Sequence, residues 1–120
     1  MPQTVVPMIH VTDVTATAEW YASIGFKLVR QNEDECEINW AKMSFADSEV
    51  MFSLGGKPST EFRREVDLYI LVQDVDELYR GIRNKVDMVE GPHDTFYGMR
   101  EITIRDINRF WITFGQRSKP

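Results

Sequence analysis

The side chains in this sequence that are best suited to catalysis or metal binding are two histidines and one cysteine, namely His10, His93 and Cys36. A cysteine beside a histidine can act as a nucleophile, and histidines combined with carboxylates can hold a divalent metal ion. The sequence shows no Ser/His/Asp or Cys/His order, no CxxC motif and no glycine-rich phosphate loop. These residue types alone therefore predict no catalytic residue.

Each of the three residues has a simpler structural interpretation. His10 ends an apolar strand and is expected to pack with a hydrogen bond, whereas His93 lies in a Gly-Pro loop and is expected to be solvated. Cys36 is the only cysteine, so no intramolecular disulfide can form, and it is expected to be a packed or idle thiol in a reducing compartment.

Composition sets further limits. The chain has 120 residues, 42% of them apolar, which suits one small globular domain. Its net charge is -5 and it has no basic patch, so a nucleic-acid partner is not expected. The sequence contains no run of about 18 apolar residues, so no membrane span is predicted. Residues 1–7, MPQTVVP, lack a signal pattern, so we expect a cytoplasmic protein without a membrane partner.

The sequence contains an internal repeat. Phe110–Gly115 matches Val50–Gly55, and the preceding strand Ile102–Asp106 matches Met43–Asp47 one register off, so the turn is expected to differ by one residue between copies. The phrase Val-x-Asp-Val also occurs twice, ending at Val14 and at Val75. A repeat of this kind fixes the architecture before any single residue is interpreted.

Each copy is predicted to be one βαβββ unit. The first is strand Thr4–Val11, helix Val14–Ser23 and strands Phe26–Gln31, Glu37–Phe45 and Val50–Leu54. The second is strand Val66–Val72, a helix after Asp74 and strands Val86–Glu90, Met99–Arg105 and Phe110–Phe114. Asp13 and Asp74 are the expected N-caps, and Gly25 is the expected left-handed residue after the first helix. We thus predict a single α+β domain, with repeat 1 at about residues 1–56, a linker at about 55–65 and repeat 2 at about 66–116.

The order and spacing of these phrases resemble the vicinal oxygen chelate superfamily, which contains glyoxalases, extradiol dioxygenases and bleomycin-resistance proteins. The residues that carry the resemblance are Val11–Val14, Trp20-Tyr21, Gly25-Phe26, Tyr97–Glu101, Arg105-Asp106 and Phe114-Gly115. Bleomycin-resistance-like proteins are the most similar group. The resemblance implies that each unit forms a half-barrel sheet with its helix on the convex face and a cleft on the concave face. It also implies a homodimer, because two chains complete the clefts.

One turn departs from the family pattern. The family usually has proline and glycine after the aspartate, where this chain has Asp106–Arg109. Asn108 tolerates a left-handed backbone, so it is the residue expected to take that conformation.

The resemblance also locates the positions that hold a metal in the enzymes of the superfamily. In those enzymes four side chains, usually histidine and glutamate, come from the first and last strand of each repeat. The corresponding residues here are Val6, Ser53, Asp67 and Thr113. Valine cannot ligate a metal and neutral hydroxyls are poor ligands, so we predict no metal and no cofactor.

Strand alternation, taken from those positions, sorts the other side chains by face. The predicted ligand-binding residues of the cleft are His10, Trp40, Lys42, Met51, Asp67, Tyr69, Met99, Glu101 and Trp111. The opposite face, predicted to lie under a helix, carries Ile102, Ile104, Phe110, Ile112 and Phe114. Aromatic rings supply stacking area, methionine adapts to irregular shapes, and a carboxylate can pair with a cation. Because Lys42 is the only cation in this set, we expect a flat or aromatic ligand that is neutral or cationic.

The sequence thus predicts a metal-independent small-molecule-binding protein, similar to bleomycin-resistance proteins, that sequesters a drug rather than turning it over. Two alternatives stay open. One is a glyoxalase- or dioxygenase-like metal-dependent enzyme with atypical ligands, in which His10 is a displaced ligand. The other is a structural or regulatory dimer whose cleft is filled by its own side chains.

Overall fold

The computed structural model describes residues 3–61 and 63–118, and the chain divides into two compact units, residues 1–58 and 59–120. Each unit consists of one four-stranded sheet and one helix in the order βαβββ. The predicted α+β fold of two tandem βαβββ units is confirmed, and the described sheets are open. Within the described residues, no helix has the length and apolar character needed to cross a membrane.

The first unit is built around a sheet with one parallel edge. Its elements are strand β1 (Met8–Val11), helix α1 (Val14–Ser23), and strands β2 (Lys27–Asp34), β3 (Glu37–Phe45) and β4 (Ser48–Leu54). The strand order is β1-β4-β3-β2, with β1 parallel to β4 and the other pairs antiparallel. Helix α1 contacts β2, β3 and β4 and so covers one face of this sheet.

Helix α1 begins and ends at the predicted residues. The Asp13 side chain accepts a hydrogen bond from the amide of Ala16 at 2.9 Å, which pairs an amide that the first turn leaves unbonded. Beyond the helix Gly25 has a φ of +113°, a conformation that only glycine adopts without strain. Both predicted end signals of this helix are confirmed.

The core of the first unit lies between α1 and the sheet. Tyr21 is fully buried, with its ring centroid 4.7 Å from that of Phe52. Thr17 is also buried on this side of the helix. Its hydroxyl donates to the carbonyl of Asp13 at 2.7 Å, so the polar group is buried without losing its hydrogen bond.

The second unit repeats this arrangement. Its elements are strand β5 (Asp67–Leu71), helix α2 (Val75–Ile82), and strands β6 (Asp87–Asp94), β7 (Met99–Arg105) and β8 (Trp111–Arg117). The strand order is β5-β8-β7-β6, again with the first strand parallel to the last. Helix α2 contacts β6, β7 and β8.

Helix α2 is capped by side chains from two directions. The Asp74 side chain accepts a hydrogen bond from the amide of Glu77 at 3.0 Å, which confirms the predicted N-cap. The amide of Val75 donates to the Gln116 side chain at 2.8 Å, and this bond ties the start of α2 to β8. The predicted helix-covered face is also confirmed. Its buried residues are Ile102, Ile104, Phe110, Ile112 and Phe114.

Three strands extend beyond their predicted ends, and one of them is β8, which continues to Arg117 instead of ending at Phe114. Strand β2 continues to Asp34 because Glu35 and Cys36 form a two-residue turn in which both have positive φ, 51° and 68°. Turns of this kind match the twist of the strands they join, so the charged segment pairs with β3 and does not form a loop. Strand β6 continues to Asp94 through Pro92, because a register shift between Glu90 and His93 accommodates a residue that cannot donate to the ladder.

The repeat alignment of the hairpins was wrong in its register. Phe45 pairs with Ser48 across a two-residue turn, whereas Arg105 pairs with Trp111 across five residues, so the turns differ by three residues rather than one. The left-handed residue of the longer turn is Arg109, with φ +70°, and not Asn108. The Asp106 side chain organises this turn by accepting hydrogen bonds from the amides of Asn108 and Phe110 at 2.7 and 2.9 Å.

Candidate ligand-binding site

Cross-strand pairing shows which side chains share the face of each sheet that its helix does not cover, here called the open face. Directly paired residues project to the same side of a sheet. In the first unit, two rows cross β1, β4 and β3: His10, Ser53 and Trp40 form one row, and Met8, Met51 and Lys42 form the next. The predicted face of His10, Trp40, Lys42 and Met51 is thereby confirmed, while their role in binding stays a prediction.

The open face of the first unit is partly apolar and more cationic than expected. Trp40, Lys42 and Met51 are half-buried, whereas His10 is exposed. Lys42 lies 3.9 Å from the Glu49 carboxylate, and such a partly solvated surface pair contributes little to stability. Strand β2 adds Arg30 as the register partner of Lys42, so Lys42 is not the only cation on this face. The sequence concealed Arg30 because a register shift between Leu28 and Arg30 breaks the alternation of β2.

In the second unit, three rows cross β5, β8 and β7. They consist of Asp67, Trp111 and Arg105, then Tyr69, Thr113 and Thr103, then Leu71, Gly115 and Glu101. Four predicted ligand-binding residues, Asp67, Tyr69, Glu101 and Trp111, are thus brought together on one open face. Met99 lies one row further along β7, paired with Arg117.

Tyr69 and Glu101 are joined by a hydrogen bond that passes over Gly115, the residue paired with Glu101. The Tyr69 hydroxyl donates to Oε2 of Glu101 at 2.6 Å, and Glu101 is only 5% exposed although it lies on the open face. A Cβ atom at Gly115 would lie 2.7 Å from Cζ of Tyr69, so only glycine leaves room for the ring. Because residue 115 is a glycine, the Tyr69 ring can lie over it and help to bury the Glu101 side chain.

Tyr97 binds the same carboxyl group. Its hydroxyl lies 2.9 Å from both oxygens of Glu101. Partial burial of the Tyr69 hydroxyl and its hydrogen bond to Glu101 raise the pKa of Tyr69 well above its ordinary range. The hydrogen bond to Glu101, followed by burial, also raises the pKa of Tyr97. Both phenols therefore stay protonated as donors at neutral pH, and they hold Glu101 in a fixed position.

The other end of this open face is occupied by Arg63, which precedes β5. Its guanidinium lies over the Trp111 ring, with Cζ 4.4 Å from the ring centroid, and forms an ion pair with the Asp67 carboxylate. Asp67 and Trp111 are direct partners in the β5–β8 pairing, so their side chains start from the same row. The row therefore has an aromatic surface beside a carboxylate, and a planar cation fits both.

A sequence profile of the glyoxalase/bleomycin resistance protein/dioxygenase superfamily matches residues 4–114, which is nearly the whole chain. The chain belongs to this superfamily. It is the family that the sequence resembles, and the two βαβββ units described above carry its fold. A comparison with curated protein sequences finds no significant match.

Several solved structures have the same fold at low sequence identity. TioX from Micromonospora sp. ML1 is 23% identical, with a TM-score of 0.80 over 97% of this chain and 99% of that chain. A bleomycin-binding protein in complex with bleomycin is 16% identical, with a TM-score of 0.74 over 98% and 100% of the two chains. The fosfomycin resistance protein FosX from Listeria monocytogenes is 15% identical, with a TM-score of 0.72 over 98% and 95%.

The superfamily positions that hold a metal in its enzymes do not offer a suitable donor set here. Val6 lies before β1 begins, and the β1 residue beside Ser53 is His10. Asp67 is paired with Arg63, and the Thr113 hydroxyl lies 3.1 Å from that of Thr103. The described residues contain no cluster of three His, Cys, Asp or Glu side chains that could hold a metal. Neutral hydroxyls and a carboxylate neutralised by arginine do not fit Zn²⁺, Ni²⁺ or Fe²⁺.

Three polar residues on or near the open faces were misjudged or missed. His93 is half-buried in β6 as the register partner of Glu101, and its Nδ1 lies 2.9 Å from the carbonyl of Gly91, so its assignment to a solvated loop was wrong. Tyr97 lies outside any strand, where alternation gives no face. Arg63 also precedes a strand, and its only sequence signal is the double arginine in a polar connection.

Proposed function

We propose that this protein is a metal-independent small-molecule-binding protein that sequesters its ligand on the open faces of the two sheets. No reaction is assigned to it, so it needs no cofactor. The observation that carries the proposal is the second open face, where Trp111, Tyr69 and the enclosed Glu101 carboxyl group lie in adjacent rows. Stacking area beside a few fixed polar groups is the usual composition of a small-molecule site.

The lining supports a flat or aromatic ligand. Trp40 in the first unit and Trp111 in the second are half-buried, so part of each indole remains available for stacking. Met51, and Met99 at the end of β7, add adaptable apolar surface. A bleomycin-binding protein of the same fold supports a drug-like ligand, and resistance to an antibiotic is the role we propose for such sequestration.

The charges of the second unit favour a neutral or cationic ligand over an anionic one. Asp67 and Glu101 lie on its open face. Arg105 lies there too, but its Nε is 2.9 Å from the Asp87 carboxylate, and a further cation, Arg63, stacks on Trp111. The open face of the first unit, taken by itself, carries Lys42 and Arg30 and so favours an anionic group over a cationic one.

We further propose that the two units form one domain, that two chains associate as a homodimer, and that the protein acts in the cytoplasm. Large apolar side chains that are half exposed on the open faces of the single chain support association. They are Met8, Tyr69 and Leu71, at 51%, 50% and 62% exposure. Light scattering coupled to gel filtration is expected to give twice the chain mass, and a monomer at micromolar concentration would contradict the dimer.

A thermal-shift screen tests the proposed function. The panel should contain flat aromatic compounds in cationic, neutral and anionic forms, together with bleomycin. A compound that binds the native state raises Tm with the logarithm of its concentration, and we expect the cationic and neutral members to do so. A panel in which no compound raises Tm would contradict the proposal and favour a cleft filled by its own side chains.

Metal analysis separates this function from the alternative of a glyoxalase- or dioxygenase-like enzyme. Protein purified without chelator is expected to contain no stoichiometric Zn, Ni, Fe or Mn, because the donor set described above does not suit these ions. About one tightly bound metal ion per chain, removable together with an activity, would overturn the metal-independent function.

A further inference from the structure

We propose that Trp111 and Asp67 form a binding site for the guanidinium or amidinium group of a ligand, and that Arg63 occupies this site as an internal competitor when no ligand is bound. The inference rests on the proposed function, because it assigns a ligand group to one part of the same open face. It specifies the class of cation that binds and the side chain, Arg63, that the ligand must displace.

The geometry fits a planar cation better than a spherical one. The Arg63 guanidinium lies with Cζ 4.4 Å from the centroid of the Trp111 ring, close enough for a cation–π interaction, and it is paired with the Asp67 carboxylate. A planar group can stack on an indole and hydrogen-bond a carboxylate in its own plane at the same time, which an ammonium ion cannot do.

Arg63 can leave this site without disrupting a regular element. It lies in the connection before β5, whose described residues form no helix or strand, and its side chain is 56% exposed. An exposed ion pair is weakly held, because water solvates both partners when they separate. A ligand that makes the same two contacts and buries more of the indole would therefore displace Arg63.

The neighbouring residues keep the connection in place when Arg63 moves. Arg64 donates to the carbonyl of Asn108 at 3.0 Å and stacks over the Phe110 ring, with its Cζ 4.3 Å from the centroid. Arg109 donates to the carbonyl of Glu61 at 2.9 Å. The two consecutive arginines thus have different partners, since Arg64 anchors the connection and Arg63 covers Trp111. Arg64 supplies a matched control of equal charge.

The test uses three probes with the same ring, namely benzamidine, benzamide and benzoate. The full chain, labelled with ¹⁵N, is titrated with each probe while the backbone amide signals of β5 and β8, which every variant retains, are followed by NMR, for the wild type, Arg63→Ala, Arg63→Gln and Arg64→Ala. If Arg63 occupies the site in most molecules, its removal is expected to tighten benzamidine binding by about five- to tenfold. Benzamide and benzoate should show no such gain, and the gain should disappear when Trp111→Phe or Asp67→Asn is combined with Arg63→Ala.

Several outcomes would overturn the inference. One is benzamidine affinity that is unchanged or lower in both Arg63 variants. Another is an equal gain in benzamidine affinity in Arg64→Ala, which would indicate an effect of net charge alone. A third is an equal gain in affinity for benzamide. Thermal unfolding of each variant confirms that it is folded. A ligand from the screen that requires Trp111 but is unaffected by both Arg63 variants would overturn this inference and leave the proposed function standing.

Discussion

The Tyr69 hydroxyl donates a hydrogen bond to Glu101 at 2.6 Å, and the Tyr69 ring passes over Gly115 to reach it. A glutamate on an uncovered face would ordinarily extend into water. Here a second phenol, that of Tyr97, also binds it, so Glu101 is only 5% exposed and its carboxyl group is fixed by two hydroxyl donors. The ring positions on this open face therefore depend on one glycine and one carboxyl group.

Substitution of Gly115 by alanine is expected to lower the free energy of unfolding by about 1 to 3 kcal/mol. The new Cβ would force the Tyr69 ring away and leave buried Glu101 with one donor fewer. Chemical denaturation measures the cost. The same substitution in a Tyr69→Ala background should cost much less, because no ring is displaced. Equal costs in the two backgrounds would show that Gly115 acts only through its own backbone.

The two phenols are expected to titrate late in alkali. The pKa of both Tyr69 and Tyr97 is raised above the ordinary tyrosine value of 10.0. A raised pKa in the folded state means that the stability contributed by these hydrogen bonds is complete below that ordinary value. It is lost as the pH rises through the folded-state pKa.

Absorbance at the phenolate band follows this titration directly. Tyr69→Phe should remove the latest component, and Glu101→Gln should move both phenols back toward the ordinary value, because the acceptor loses its charge. Titration of all phenols together in the wild type would contradict the arrangement around Glu101.

Adjacent residues of β8 should respond differently to truncation. Ile112 is fully buried on the helix-covered face, so Ile112→Ala is expected to cost about 2 to 5 kcal/mol through the cavity it leaves. Trp111 is half-buried on the open face under Arg63, so Trp111→Ala should cost less stability. Urea denaturation of both variants measures the difference. A larger loss for Trp111→Ala would mean that its ring supports the fold rather than a ligand.

The sequence predicted the architecture because its strongest signals were local and repeated. The N-caps Asp13 and Asp74 and the terminating Gly25 are properties of short segments, and they marked where both helices begin and where α1 ends. The hairpin register could not be predicted from short segments, because it depends on how many residues each turn contains. The error shifted the alignment by an even number of residues, so it moved no side chain of β3 or β7 to the other face.

Less of the candidate site could be predicted, because its decisive contacts come from outside the strands. Alternation places Tyr69 and Glu101 on one face but cannot show that their groups meet, which depends on the missing side chain of Gly115. Tyr97 and Arg63 reach the face from connections where no periodicity applies. A bulge in β2 concealed Arg30 in the same way, since alternation fails wherever a register shift intervenes.

The central claim is that indole surfaces on the open faces, rather than a metal or a histidine, carry recognition. Dissociation constants of a ligand from the screen, measured by calorimetry for Trp40→Ala, Trp111→Ala and His10→Ala, test it most directly. We expect each tryptophan change to weaken binding by at least about tenfold, since stacking and cation–π contacts are lost, and the histidine change to have a smaller effect. If His10→Ala abolishes binding while both tryptophan variants bind within a few fold of the wild type, the binding function proposed here is wrong.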